Sequence, residues 1–171
     1  MYAGIMTKKQ AGAMRKALGR LEMEHGVAAC EDVPCEITYQ WAYPNAWAAV
    51  NYMAIRGMDR YGFVKDARRL ARKYLDSNVA QFKETGVLWE KYNALTGRND
   101  AAAEYATPGD FMGWTAGTVL FCMDYLTEEH SESVTTRARL MSQGSVGTAS
   151  TICHEYATPA SGHCSPVRSL S

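Results

Sequence analysis

Residues 45–85 decide the fold and read NAWAAVNYMAIRGMDRYGFVKDARRLARKYLDSNVAQFKET. Apolar side chains recur at helical spacing over residues 45–61 and again over residues 64–85. Gly62 follows the first period and Gly86 the second, and glycine commonly ends a helix because it adopts the left-handed conformation. Only a couple of residues separate the two periods, so we predict an antiparallel helical hairpin.

Each predicted helix of this hairpin has one apolar face. In the first helix this face consists of Trp47, Val50, Ala54, Met58 and Tyr61. In the second helix it consists of Val64, Ala67, Ala71, Tyr74, Asn78 and Phe82, while much of the opposite face carries Arg68, Arg69, Arg72 and Lys73. An apolar face of this kind is typical of a helix that packs one side against a core.

A further helix is predicted before the hairpin, over residues 7–25. Thr7 can cap its N-terminus, and Gln10 three residues later completes a capping box. Gly26 is the expected C-terminal stop. The apolar stripe of this helix consists of Ala11, Met14, Leu18 and Leu21.

A fourth helix is predicted over residues 112–126, with Asp110 available as its N-cap. Residues 116–123 are apolar nearly all round, and a helix of that kind is buried on most sides. Beyond residue 127, Ser and Thr dominate and no apolar period is visible. We therefore expect an all-α unit over residues 1–127 and a disordered Ser/Thr-rich tail over residues 128–171.

Composition argues against several classes of function. The chain has 171 residues, no net charge and no basic stripe, so we expect no nucleic-acid partner. Its longest strongly apolar run is too short for a bilayer, and the N-terminus lacks a signal-peptide pattern, so we expect no membrane partner and a cytoplasmic location. The four histidines are scattered, which predicts no metal and no cofactor. Five cysteines without metal-type pairs are interpreted as reduced thiols: Cys30, Cys35, Cys122, Cys153 and Cys164.

The helix order places two long connections at one end of the molecule. These connections cover residues 27–44 and 86–111. Because the short turn reverses the chain inside the hairpin, the connection before the hairpin and the one after it meet at the same end. Rigid helices that present long loops at one end are a frequent scaffold for active sites.

The first connection leads into a stretch suited to a carbohydrate, since residues 39–47 read YQWAYPNAW. Aromatic rings cover the C–H faces of a sugar, and side-chain amides donate to and accept from its hydroxyls. The rings are Tyr39, Trp41, Tyr43 and Trp47, and the amides are Gln40 and Asn45. Helical spacing favours a core position for Trp47 and Val50, whereas Trp41 and Trp114 lie beside loops.

The second connection contributes two carboxylates, Glu90 and Glu104, among aromatic residues. Glycoside hydrolysis usually needs a carboxyl pair, one as acid and one as base or nucleophile. Two glutamates in a loop are more often solvated surface groups, so residue types alone leave both interpretations open.

Several segments, in order, resemble signatures of the inverting trehalases. Residues 39–47 resemble that family's Gln-Trp-Asp-x-Pro-Asn-Gly/Ala-Trp signature, and residues 89–93, WEKYN, resemble its Glu-Lys-Tyr-Asp/Asn element. Glu104 and Tyr105, followed by GWTAG at residues 113–117, resemble its Gly-Glu-Tyr…Gly-Trp-Thr-Asn-Gly element. Order and spacing agree over residues 1–126, which is everything except the tail.

This resemblance implies an α/α toroid, a barrel of six helix hairpins, of which the chain holds only about four helices. Residues 1–127 would be the C-terminal part of the catalytic domain, with α,α-trehalose as the disaccharide substrate, hydrolysed to glucose with inversion. Glu90 would be the general base that activates water, and Glu104 would contact the sugar. The implied pocket-lining residues are Gln40, Trp41, Asn45 and Trp114.

The chain also departs from the family pattern. Ala42 stands where an Asp is usual, and NDAAA at residues 99–103 replaces a Gly-rich run. No segment aligns with the family's general-acid Asp or with its Arg-rich sugar-binding set. We therefore expect this chain alone to be inactive, and to self-associate or to need the missing N-terminal part.

Two alternatives stay open at this point. One is another α/α toroid glycosidase that acts on an α-glucoside or on mannosylglycerate. The other is a non-catalytic helical module that binds a sugar or a protein partner.

Overall fold

The computed structural model describes residues 1–34, 39–100, 109 and 113–127, which lie in a compact unit spanning Met1–Glu129. The expected tail and the expected N-cap Asp110 lie outside these residues. The described part is helical, with short strands at the ends of helices. Its elements are α1 Lys8–Leu18, β1 Glu22–Met23, β2 Gly26–Val27, β3 Asn45–Trp47, α2 Ala48–Arg60, α3 Val64–Thr85, β4 Lys91–Asn93 and α4 Gly113–Thr127.

The predicted hairpin of α2 and α3 is confirmed. Residues 61–63 join the two helices, which pack against each other. α3 has the predicted bounds, and Gly86 ends it in the left-handed conformation at φ 73°. Its amide donates to the Phe82 carbonyl at 2.8 Å, which satisfies one of the terminal carbonyls.

The predicted start of α2 at residue 45 is wrong. Asn45–Trp47 instead forms β3, which pairs antiparallel with β4, and α2 begins at Ala48. The backbone groups of these three residues are used in a ladder with a distant segment, so they are not available to a first helical turn. Local helical spacing carries no information about that partner.

The predicted helix over residues 7–25 is too long. Thr7 and Gln10 form the expected capping box, but α1 ends at Leu18 with Gly19 as its C-cap. Residues 22–27 then form a small hairpin of β1 and β2. Gly26, the predicted stop, lies in β2 at φ 137°, where a Cβ would stand 2.9 Å from the Asn51 side-chain oxygen.

The expectation that α4 is buried on most sides is wrong. The helix packs against α2 and α3, which bury one face consisting of Thr115, Thr118, Cys122 and Tyr125. Leu120 is 60% exposed and Met123 is 47% exposed. No helix among the described residues is both long enough and apolar enough to cross a membrane.

The core lies where α2, α3, α4 and β2 meet. Its buried members are Val27, Ala48, Ile55, Met58, Ala67, Leu70, Ala71, Tyr74, Leu75, Cys122 and Tyr125. Two details of the predicted faces are wrong. Phe82 is 50% exposed because it belongs to the last turn of α3, and Ile55, absent from the predicted face of α2, is fully buried.

An ionic network connects α1, the β1–β2 hairpin and the basic face of α3. Asp66 accepts from Arg15 and from Arg69, each at 2.6 Å. Glu22 accepts from Arg69 at 2.8 Å and from Lys73 at 2.9 Å. Part of the basic face of α3 therefore attaches the N-terminal elements to this helix.

Candidate active site

The β3–β4 ladder joins the two long connections. Asn45 pairs with Asn93, Ala46 with Tyr92 and Trp47 with Lys91. The expectation that both connections meet at one end is confirmed. Because Glu90 immediately precedes Lys91, this register places the glutamate beside the aromatic stretch that ends at Trp47.

Trp47 is the central aromatic residue of the site. It is 1% exposed, as expected for a core position. The Trp41 ring stacks on it, with centroids 4.1 Å apart and planes at 12°, and the Trp114 ring meets it edge-on at 5.4 Å and 79°. Trp41 is 45% exposed and Trp114 is 41% exposed, so both rings offer apolar faces to a ligand.

Hydrogen bonds to one backbone carbonyl hold the aromatic turn. The Gln40 carbonyl accepts from Asn45 Nδ2 and from Trp47 Nε1, both at 2.9 Å. Asn45 is fully buried, while the Gln40 side chain is half-buried. Asn45 therefore shapes the loop that carries Gln40 and Trp41, which is a positioning contribution to the predicted pocket.

Glu90 has a buried cation beside it. The glutamate side chain is 14% exposed, and its Oε2 lies 3.1 Å from Nζ of Lys91. The Lys91 side chain is fully buried, and its Nζ lies 5.1 Å from the centroid of the Trp47 ring. A carboxylate, an ammonium and a tryptophan face thus form one contact group.

The start of α4 is attached to the same loop. Thr115 Oγ1 donates to the Trp89 carbonyl at 2.9 Å. The Trp89 amide donates to the Tyr92 hydroxyl at 3.0 Å, and burial raises the pKa of Tyr92, so this hydroxyl stays neutral. These bonds attach the backbone of Trp89, which precedes Glu90, to the start of α4 and to β4.

Ala42 lines a cleft. The cleft has a volume of about 280 Å³ and is lined by Ala42, Tyr43 and residues 30–34, which include the carboxylates Glu31 and Asp32. Glu31 is paired with Arg20 at 2.9 Å. The chain therefore has acidic groups in the cleft beside the position where the resemblance leads us to expect an Asp.

Of the predicted site residues, Gln40, Trp41, Asn45, Glu90 and Trp114 meet around the β3–β4 ladder. Glu104 lies outside the described residues. The roles assigned to all six stay predictions. Within the described ranges, no three His, Cys, Asp or Glu side chains group as metal ligands.

Sequence reasoning missed Lys91 and Thr115 as members of the site. The sequence did offer a signal for Lys91, since this residue lies in the WEKYN segment between a carboxylate and a tyrosine. Charged residues in loops are mostly solvated, so only the strand register shows that this lysine is buried. Thr115 gave no local signal, because it lies in α4 and its hydroxyl donates to the carbonyl of Trp89 in the preceding connection.

Comparisons with known proteins show which family the chain resembles. The family model described as Trehalase matches residues 1–127. A "Probable trehalase" of Eremothecium gossypii is 43% identical over 124 residues, covering 66% of this chain and 17% of that protein. A "Cytosolic neutral trehalase" of Saccharomyces cerevisiae is 33% identical over 144 residues, covering 74% of this chain and 19% of that protein.

A solved structure is also similar. Neutral trehalase Nth1 from Saccharomyces cerevisiae matches with a TM-score of 0.61 at 31% identity, covering 75% of this chain and 22% of that chain. The match confirms the predicted fold class, all-α of the α/α toroid type with a partial set of helices. The chain thus spans about one fifth of the length of these relatives.

Proposed function

Because the chain belongs to the trehalase family, we propose that it forms the general-base half of a glycosidase site that hydrolyses α,α-trehalose. Residues 1–127 are the C-terminal part of the catalytic domain in this proposal, and residues 128–171 are a separate tail. The observation that carries the proposal is the pairing of Trp47 with Lys91, which brings Glu90 next to the Trp41–Trp47–Trp114 group.

The proposed reaction is a single displacement. The Glu90 carboxylate takes one proton from a water molecule, and the water oxygen bonds to an anomeric carbon of trehalose. The bond from that carbon to the bridging oxygen breaks, and the departing oxygen takes a proton from a carboxylic acid. One glucose leaves with inverted configuration and the other keeps its own.

The second carboxyl group comes from another segment. In inverting enzymes the acid and base carboxyls are roughly 6.5–9.5 Å apart, which leaves room for the attacking water. The resemblance offers no counterpart in this chain to the acid-bearing segment of the family. Because general acid catalysis contributes on the order of 10²–10⁴-fold, the chain by itself is inactive in this proposal.

Trp41 and Trp114 form the sugar platform of the proposed site. Both rings are partly exposed and both rest on the buried Trp47. The C–H faces of a glucose ring stack on such surfaces, and Gln40 and Glu104 supply hydrogen bonds to its hydroxyls. Trehalose is the proposed ligand because the named relatives are trehalases, with another α-glucoside as the runner-up.

A hybrid enzyme tests the proposal. Residues 1–127 replace the matched segment of Nth1, and glucose release from trehalose is measured. We expect the hybrid to be active and Glu90→Gln to lower its rate at least about 10²-fold, because a neutral amide cannot accept the proton. The matched control is Glu24→Gln on the exposed β1–β2 turn, which should leave the rate unchanged. Equal rates for the hybrid and its Glu90→Gln variant contradict the proposal.

A second candidate function is sugar binding without turnover. The exposed Trp41 and Trp114 rings favour it, since stacking needs no general acid. Calorimetry of the 171-residue chain with trehalose tests it. Binding that is lost in Trp41→Ala, together with an inactive hybrid, would replace hydrolysis by binding as the proposed function.

We also propose a cytoplasmic location and self-association. The location rests on the relative named a cytosolic neutral trehalase. Self-association rests on the exposed apolar side chains of α4.

A further inference from the structure

Lys91 is the buried cation of the described part of the chain. Its side chain is 0% exposed, whereas the arginines and lysines of the Asp66–Glu22 network are between 26% and 51% exposed. Taking an ammonium group out of water is unfavourable in proteins, and only a close counter-charge and further hydrogen bonds offset that cost. Stability alone does not explain a buried lysine, because a buried ion pair can often be replaced by apolar side chains without loss of stability.

The surroundings of Lys91 are specific. Its Nζ is 3.1 Å from Glu90 Oε2 and 5.1 Å from the centroid of the Trp47 ring. The backbone of Lys91 is held opposite Trp47 by the β3–β4 register. The ammonium group therefore has a fixed place, and it contacts both the proposed base and the ring that supports Trp41 and Trp114.

We propose that Lys91 is a positioning residue that holds the Glu90 carboxylate in the orientation needed to accept a proton from water. This inference rests on the proposed function, in which Glu90 is the general base. A glutamate side chain has several rotatable bonds, so its carboxylate stays in one place only when neighbours restrain it. A misplacement of about 1 Å can lower a rate on the order of 10²-fold.

The proposal differs from a purely structural role in what it predicts for kinetics. Loss of the restraint affects the chemical step, because Lys91 contacts the Glu90 carboxylate, which takes the proton in the proposed reaction, at 3.1 Å, whereas Trp41 and Trp114 supply the sugar platform. We therefore expect kcat to change and KM to change little. If the role of Lys91 were purely structural, its substitution would lower stability and leave the kcat of the folded enzyme unchanged.

The kinetic test uses Lys91→Met and Lys91→Arg in the Nth1 hybrid. We expect Lys91→Met to lower kcat about 10- to 100-fold, with KM changed less than about threefold, and Lys91→Arg to recover most of the rate because it restores the cation. The control is Lys73→Met, which removes an ammonium that pairs with Glu22 at 2.9 Å on another part of the fold. It should lower stability and leave kcat unchanged.

The outcomes separate the two proposals. If Glu90→Gln is inactive while Lys91→Met keeps the full kcat, the positioning role is wrong and the proposed function stands. If the unsubstituted hybrid releases no glucose, the proposed function fails, and crystal structures of the 171-residue chain decide the positioning role. We expect the Glu90 carboxylate to move by about 1 Å or more in Lys91→Met and to stay in Lys91→Arg. A carboxylate that is unmoved in Lys91→Met overturns the inference.

Discussion

Trp47 connects most of the parts that we assign to the site. Its ring touches Trp41, Trp114 and the Lys91 ammonium, and its Nε1 donates to the Gln40 carbonyl. A residue with these contacts is both core and support for the site. The sequence therefore predicts correctly that Trp47 is buried, but it does not show that the same ring supports the site.

Trp47→Ala is expected to destabilise the chain by about 3–5 kcal/mol, the usual cost of deleting a buried aromatic side chain. Urea unfolding followed by circular dichroism measures this. The control is Trp114→Ala, where the ring is 41% exposed, so the expected loss is less than about 1 kcal/mol. Similar losses for the two variants would argue against a central packing role for Trp47.

Cys122 is expected to be an unreactive thiol. It is fully buried between helices, and burial raises its pKa to about 12. Since the thiolate is the nucleophile, alkylation of the folded chain by iodoacetamide at pH 8 should modify Cys30, which is partly exposed, well before Cys122. Peptide mass spectrometry gives both rates. Rapid labelling of Cys122 under native conditions would mean that α4 opens readily.

The attachment of the N-terminal elements to α3 depends on charge. The hydrogen bond from Arg69 lowers the pKa of Glu22 from 4.5 to about 2, against the opposing effect of burial. For Asp66, burial favours the neutral acid, but hydrogen bonds from Arg69 and Arg15 outweigh it and the pKa is lowered. A carboxyl with a lowered folded-state pKa stabilises the fold above its unfolded-state pKa, and this stability is lost as the pH falls.

The free energy of unfolding should therefore decrease as the pH falls from about 4.5 to about 2. Glu22→Gln should cost about 1 kcal/mol at pH 7, a small value because Arg69 is 48% exposed and solvent screens the pair. The same substitution should flatten the decrease over that pH window. Thermal melts of the unsubstituted chain and of Glu22→Gln from pH 2 to pH 7 measure this difference. If the stability of the two chains falls in parallel as the pH falls, Glu22 is not the group that titrates.

The elements differ in how far the sequence predicts them. The bounds of α3 follow from its own residues, because the apolar period is long and Gly86 ends it. β3 could not be predicted, because Asn45–Trp47 becomes a strand only when it pairs with β4, far along the chain. The same non-local pairing buries Lys91. Motif resemblance supplied Glu90, Trp41 and Trp114, while their mutual geometry required the structure.

At the scale of the whole molecule, α4 has exposed apolar side chains. Leu120 and Met123 are 60% and 47% exposed, and the helix is apolar on nearly every side. We expect the 171-residue chain to self-associate in a concentration-dependent way, as measured by analytical ultracentrifugation. Leu120→Glu should weaken this association. Leu95→Glu, at an apolar residue of similar exposure outside α4, serves as the control. A monomer at all concentrations would contradict the expectation.

In the proposed reaction, Glu90 activates water for a displacement with inversion. Inversion at one anomeric carbon of α,α-trehalose releases one β-glucose and one α-glucose, whereas retention releases two α-glucose molecules. Proton NMR of the products of the Nth1 hybrid, recorded before mutarotation, distinguishes these outcomes. We predict equal amounts of the two anomers from the hybrid, and product formed at least about 10²-fold more slowly by its Glu90→Gln variant. Only α-glucose at early times, or undiminished product from Glu90→Gln, would contradict the account.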